Sequence, residues 1–327
     1  MTGATITGWG RALPDRVVTN ADITTLFDTT EEWIFERTGI RTRRAATGPF
    51  VDHTPPAENA VGGLGTTGTL AAAAGRAALE MAGAEASEIG MLILCTTTPD
   101  LLIPATSASV AGALGINGGA MDLNAACAGF TYGLVTAAGL LAAGAERVLL
   151  IGAETLTRAT NWEDRTNAFL FADGAAAIVM EAVAGEGSLL GWDVGVDGNL
   201  VPLLYAHHGS GMAMRGKEVF RRAVLATVDS ATKSLEQAKL TVEDIALFVP
   251  HQANARIMEA AASRLGIPAD RVASVIEHTG NTSSASVPLA LVDAVESGRV
   301  HDGDHVLLAG FGAGMTWASA VWRWQGQ

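Results

Sequence analysis

The sequence predicts a mixed α/β fold made from two copies of one unit. Continuous apolar runs at 89–95, 147–152, 245–250 and 306–309 have the character of strands buried on both faces. Helical patterns at 70–81, 106–114, 217–238 and 283–297 separate them. The order then repeats. The run at 88–95 resembles that at 244–250, the turn and helix from Cys127 match those from Asn281, and 146–152 matches 304–310, each pair offset by about half the chain. This duplication implies two halves, 1–180 and 181–327, packed about a pseudo-twofold axis, with matching strand ends converging on one central site.

Composition narrows the class. The chain has 327 residues, enough for one large or two medium domains, and 49% are hydrophobic, which suits a large core. A net charge of -13 argues against nonspecific nucleic-acid binding and against a polybasic membrane anchor. Two cysteines predict no disulfide framework and a reducing compartment. The N-terminal stretch lacks a basic segment followed by an apolar one, and every apolar run is broken well short of a membrane span, so a soluble cytoplasmic protein is expected.

Taken in order, residues 4–9 alternate as a short strand, and Thr19 and Asn20 open a helix with polar caps. Residues 31–39 form an amphipathic helix closed by Gly39, followed by the basic cluster Arg41, Arg43 and Arg44. Residues 45–68, rich in Gly, Pro and Thr, have no period and read as an exposed loop. Cys95 lies inside a buried run and reads as structural. A polar loop at 157–165 leads to a turn and strand at 167–180, then a strand at 188–196. In the second half, 251–265 is helical, 272–276 a short strand, and 306–309 and 316–323 are strands around a Gly-rich turn.

Three segments carry reactive groups. In Asp122-Leu123-Asn124-Ala125-Ala126-Cys127-Ala128-Gly129-Phe130 a strand turns into a helix, and Cys127 sits at or near the helix N-terminus. There unpaired N–H groups and the helix dipole favour a thiolate. A buried structural cysteine reads equally well from this stretch alone. His251 stands where a strand breaks into a loop, a place suited to chemistry as well as to a hydrogen-bonded structural histidine. Asn281, in Gly280-Asn281-Thr282-Ser283, reads locally as a turn or cap residue. The duplication brings the three together. His53, His207, His208, His278, His301 and His305 fit no ligand spacing, and the cysteines are unpaired, so no metal site is expected.

The segments together resemble the β-ketoacyl-acyl-carrier-protein synthase III family of the thiolase superfamily. The matching residues are Ala126-Cys127-Ala128-Gly129-Phe130-Thr131-Tyr132, Pro250-His251-Gln252-Ala253-Asn254 and Gly280-Asn281-Thr282-Ser283. Glu32-Trp33-Ile34, Arg37-Thr38-Gly39-Ile40-Arg41 and Phe311-Gly312-Ala313-Gly314 match too, in order over nearly the whole chain. Thiolases use a second cysteine and elongating synthases two histidines, so the Cys-His-Asn set separates this family from both.

The resemblance implies a thiolase-like fold layered α-β-α-β-α, a homodimer, and an acyltransferase that initiates fatty acid synthesis by decarboxylative Claisen condensation. Acyl-CoA and malonyl-acyl-carrier protein would be the substrates, with no permanently bound cofactor. Cys127, His251 and Asn281 would be catalytic, and the backbone N–H groups of Cys127 and Ala313 would form the oxyanion hole. Many members have Gly at the position of Ala313. Trp33, Arg37, Arg165 and Asn254 match positions that contact CoA, and an Arg over an aromatic face is a reasonable adenine clamp. Ile103 and Phe311 match the acyl pocket, Ile103 pointing across the dimer. Arg221, Arg222, Arg256 and Arg264 are candidates for docking an acidic carrier protein. The alternative is a related acyltransferase or a starter-unit ketosynthase of polyketide or other secondary metabolism.

Overall fold

The computed structural model describes residues 2–51, 65–207 and 210–325. The first half of the chain contains β1 (Thr2–Ala12), β2 (Val17–Thr19), α1 (Asn20–Thr24), α2 (Glu31–Thr38), β3 (Thr42–Arg44), α3 (Thr67–Ala82), β4 (Met91–Cys95), α4 (Thr106–Leu114), β5 (Gly119–Leu123), α5 (Gly129–Ala142), β6 (Arg147–Thr155) and β7 (Asp173–Ala184). The second contains β8 (Leu189–Val196), β9 (Leu204–Tyr205), β10 (Ala213–Met214), α6 (Gly216–Ala238), β11 (Ile245–Pro250), α7 (Ala255–Leu265), α8 (Ile276–Thr279), α9 (Ser286–Glu296), β12 (His305–Gly312) and β13 (Thr316–Arg323).

The duplication is visible in the sheets. One is ordered β1-β7-β6-β4-β5 and the other β8-β13-β12-β11 when read from its matching edge. Strand directions agree as well: β4 with β6 and β11 with β12 are parallel, while β1 with β7, β6 with β7, β8 with β13 and β12 with β13 are antiparallel. β7 runs on to Ala184 and β8 begins at Leu189. We therefore propose that the two halves divide in the intervening turn, a few residues beyond the expected boundary.

Helices α5 and α9 lie between the sheets, within a core that includes Ile93, Phe130, Leu134, Leu291, Leu308 and Trp322. On the outer faces α3 covers the first sheet and α6 the second. The result is five layers, α-β-α-β-α. Local chemistry sets the element ends. Helix α3 starts with a reciprocal cap between Thr66 and Thr69, and Gly39 closes α2 at φ 75°, a conformation with little steric cost for glycine.

Several expectations change. The Val272–Ile276 segment is not a strand. It keeps one parallel bridge, Phe248 to Val272, where the first sheet has its fifth strand, and α8 then begins at Ile276. The side chain of Gln252 accepts the N–H of Val275, which diverts the chain from the sheet. The long loop ends earlier, because α3 starts at Thr67, and residues 52–64 of it lie outside the described residues. Arg43 does not belong to a surface cluster. It is fully buried, donates to Asn20 Oδ1 and to the carbonyls of Phe169 and Val18, and burial lowers its pKa to about 10.

Candidate active site

A cavity of about 1320 Å³ opens where the two halves meet. Cys127, His251 and Asn281 all line it. Cys127 comes from the turn between β5 and α5. In that turn Ala126 has φ 49°, the Asn124 side chain accepts the N–H of Ala126, and the Gly129 N–H donates to Ala126 O. A positive φ at a residue other than Gly costs energy and persists where the surroundings enforce it. They do so here: Thr316 at the start of β13 donates its hydroxyl to Ala125 O.

The glycines that admit this turn obey the pseudosymmetry. A Cβ on Gly310 would lie 2.9 Å from Ala128 Cα, and one on Gly312 would lie 2.4 Å from Cys127 N. The mate of Gly310 in the first half is Gly152, where a Cβ would lie 2.5 Å from Ser284 O. Each half thus seats the start of its central helix against a bare strand backbone of the other.

His251 follows β11. Its N–H donates to Ala309 O, its Nδ1 lies 2.5 Å from Ser286 Oγ, and its ring packs edge-on against Phe311 at 5.3 Å. Asn281 exchanges backbone hydrogen bonds with Leu170 and Ala172 of the first half. Its Oδ1 accepts the N–H of Ser283, so the amide nitrogen is the end left for the cavity. Ser283, like Ala126, has a positive φ, of 47°.

The electrostatics depart from the expected thiolate. Cys127 is part-open to the cavity, yet the enclosing walls desolvate it and push its thiol up to about 12. The neighbouring Ser283 side chain pulls down and the charge of Glu154 pushes up. Burial likewise lowers His251 to about 3, so its imidazole is neutral. Burial therefore favours a thiol and a neutral imidazole over an ion pair, against the pull of the α5 N-terminus.

The remaining expected residues divide. Trp33, Arg37, Arg165 and Asn254 line the outer cavity. The cation over Trp33 is Arg37, 4.8 Å from the ring centre, while Phe169 meets the same ring edge-on. Both polar ends of Asn254 are engaged: it caps α7 through Arg256 N and donates to Arg37 O, tying α2 to α7. Ala313 and Phe311 line the inner cavity. Arg221 and Arg256 stand in its wall beside Lys217, whereas Arg222 and Arg264 are exposed away from it. Ile103 does not reach the cavity of its own chain and is 84% exposed. Among the described residues no cluster of His, Cys, Asp and Glu is arranged to hold a metal ion, and no helix is long and apolar enough to cross a membrane.

Sequence reasoning passed over Ser286 and Glu154. The only signal for the first was the run of serines opening a buried apolar helix; for the second it was an acidic residue closing an apolar strand.

Known proteins share this fold. The pattern described as 3-Oxoacyl-[acyl-carrier-protein (ACP)] synthase III matches residues 121–198, and that of its C terminal matches 235–324. A Roseiflexus sp. (strain RS-1) protein named beta-ketoacyl-[acyl-carrier-protein] synthase III is 43% identical, over 98% of each chain. The crystal structure of 3-oxoacyl-[acyl-carrier-protein] synthase III from Aquifex aeolicus VF5 superposes with a TM-score of 0.91 at 37% identity, over 98% of this chain and all of that one. The priming beta-ketosynthase from the R1128 polyketide biosynthetic pathway superposes with a TM-score of 0.89 at 38% identity, covering 99% of this chain and 97% of that one. With these likenesses running the full length of the fold, the chain belongs to the β-ketoacyl-[acyl-carrier-protein] synthase III family.

Proposed function

We propose that this protein is an acyltransferase that condenses an acyl-CoA starter with malonyl-acyl-carrier protein, releasing CO2 and initiating fatty acid synthesis. The observation that carries this reading is the convergence of a cysteine with two neutral side chains, His251 and Asn281, each bonded from behind on one atom and facing the same cavity.

The steps follow from the groups. Cys127 Sγ attacks the acyl-CoA carbonyl, the bond to the CoA sulfur breaks, and the cysteine proton leaves with CoA. Malonyl carrier protein then occupies the cavity. Loss of CO2 puts an electron pair on its thioester oxygen as an enolate, and His251 Nε2–H and Asn281 Nδ2–H donate to that oxygen. The enolate carbon attacks the Cys127 thioester. The N–H groups of Cys127 and Ala313 hold the tetrahedral oxyanion, its collapse breaks the C–S bond, 3-oxoacyl carrier protein leaves, and the Cys127 thiolate takes up a proton from solvent to restore the thiol. Two preorganised donors in a desolvated site supply about 3 kcal/mol or more of barrier lowering. Trp33, Arg37 and Arg165 would grip the CoA nucleotide at the outer cavity, with Asn254 shaping the wall beside them.

A homodimer fits the surface. β5 is an edge strand of its sheet, and Leu101, Leu102 and Ile103 beside α4 are 56%, 83% and 84% exposed. An unpaired edge next to an apolar loop invites a second copy. Ile103 would then close the acyl pocket of the partner subunit, opposite Phe311. Paucity of cysteine suits a cytoplasmic setting.

The R1128 likeness favours one second reading, a condensation of the same chemistry that primes a polyketide. Mass spectrometry after incubation with a panel of acyl-CoAs reads the starter on Cys127 directly, and CO2 release from malonyl carrier protein separates condensation from simple acyl transfer. Acylation without any CO2 release would overturn the condensing function.

A further inference from the structure

We propose that Ser286 is a positioning residue that fixes His251 in the tautomer with its proton on Nε2, and so makes it a donor rather than a base toward the cavity.

The argument is an accounting of protons around one buried hydroxyl. Ser286 is the first residue of α9 and is fully buried. Its Oγ accepts the backbone N–H of Gln252 at 3.2 Å and lies 2.5 Å from His251 Nδ1. The direction of the Gln252 N–H is not adjustable. That residue is fully buried, its side-chain Nε2 donates to Pro250 O and Ala273 O, and its Oε1 accepts from Val275 N. An oxygen that already receives this N–H must place its own proton elsewhere. Among the described residues the acceptor within reach is His251 Nδ1. Were Nδ1 protonated instead, Ser286 Oγ would face two N–H groups while its own proton went unbonded in the core, which costs stability. The hydroxyl therefore donates to Nδ1, and the ring proton resides on Nε2, the nitrogen left for the cavity.

The same logic orients Asn281, whose Oδ1 is held by Ser283 N. Both members of the donor pair are thus set from α9 and the turn before it. One consequence follows for Cys127: with Nε2 carrying a proton, His251 is not the base that removes the thiol proton.

This inference rests on the condensing reading for its kinetic consequence but not for the tautomer, and the experiment separates the two. Full-length protein labelled with 15N at histidine is compared with its Ser286→Ala and Ser286→Thr variants by long-range proton–nitrogen correlation, the His251 signals being identified by their loss in His251→Gln. Wild type is expected to carry the proton on Nε2, with Nδ1 unprotonated and hydrogen-bonded. Ser286→Ala should shift population to the Nδ1–H form, and Ser286→Thr, which keeps the hydroxyl, should restore the wild-type signature. In parallel, Ser286→Ala should slow malonyl decarboxylation about tenfold to a hundredfold, with acyl loading of Cys127 changed far less. A proton on Nδ1 in wild type, or an unaltered tautomer in Ser286→Ala, overturns the inference. Should Ser286→Ala fail to fold, the wild-type spectrum alone still decides the tautomer. If the tautomer shifts as expected and decarboxylation does not slow, the role of Ser286 stands and the donor-pair reading fails.

Discussion

Ser284 Oγ, from the second half of the chain, lies 2.8 Å from Glu154 Oε1 at the end of β6 in the first. Glu154 is fully buried and also accepts from the backbone of Thr97 and Thr98 and from the hydroxyls of Thr96, Thr97 and Thr98. Thr97 and Thr98 are themselves part of the cavity wall. One carboxylate therefore gathers the loop after β4, the end of β6 and the turn before α9 near Cys127.

Removing that hub leaves several buried donors without an acceptor. Glu154→Ala is expected to lower unfolding free energy by about 3–5 kcal/mol. Denaturant titration checks it, and a loss smaller than 1 kcal/mol would mean that water or rearrangement satisfies the loop.

The proposed catalytic roles predict a split between half-reactions. Cys127→Ala should abolish acyl-enzyme formation. His251→Ala and Asn281→Ala should retain acyl transfer while losing about a hundredfold or more in decarboxylation, if the proposed donors act on the enolate. Condensation at the wild-type rate in Asn281→Ala would remove it from the donor pair.

Burial acts on the two titrating groups in opposite directions. The thiol of Cys127 is raised to about 12, so its thiolate fraction in the ligand-free protein should go on increasing throughout pH 7 to 10 (about 9 marks an ordinary cysteine). Iodoacetamide labelling of Cys127, followed by mass spectrometry, should accelerate across that range. A plateau reached below pH 8 would show that the helix N-terminus outweighs desolvation. His251 is lowered to about 3, so its imidazole loses its proton well below the working range and stays neutral above it. The condensation profile should accordingly lack an acid limb near 6.5, the ordinary histidine value.

Most of the fold was legible because it rests on signals that survive in one sequence. Leu92, Ile93 and Leu94, like Val148 to Ile151, form continuous apolar runs, and they are fully buried strands. The repeat alone implies the convergence of Cys127, His251 and Asn281, and all three line one cavity. What was hidden depends on partners remote in sequence. Arg43 looks like its exposed neighbours until the carbonyl of Phe169 and the amide of Asn20 enclose it. Val272 has the composition of a strand residue, but the side chain of Gln252 captures Val275 and the chain turns into α8. The thiolate expectation for Cys127 counted the helix and omitted the cavity walls. β2 and β3, three residues each, pair with one another yet are too short to show a period.

The proposed carrier-protein docking would have to be local, because the chain itself bears a net charge of -13 and such carriers are acidic as a family property. The structure narrows the candidates. Arg221 and Arg256 stand in the cavity wall with Lys217, and Arg256 lies 6.0 Å from the centre of the Phe220 ring. Lys217 and Arg221 are one turn apart on α6 and share a face. Arg222 and Arg264 are exposed but do not border the cavity, so they are weaker candidates than their positions in sequence suggested. Arg221→Glu combined with Arg256→Glu reverses two charges at the mouth and should raise KM for malonyl carrier protein about tenfold or more. Added salt should weaken the wild-type interaction, since these side chains are solvent-exposed and screened. Arg222→Glu with Arg264→Glu should have a smaller effect. Loading of Cys127 from acyl-CoA, which needs no protein partner, should change much less in the first pair. Equal losses for both substrates would place the damage in the shared channel, and the docking patch would have to be sought elsewhere on the surface.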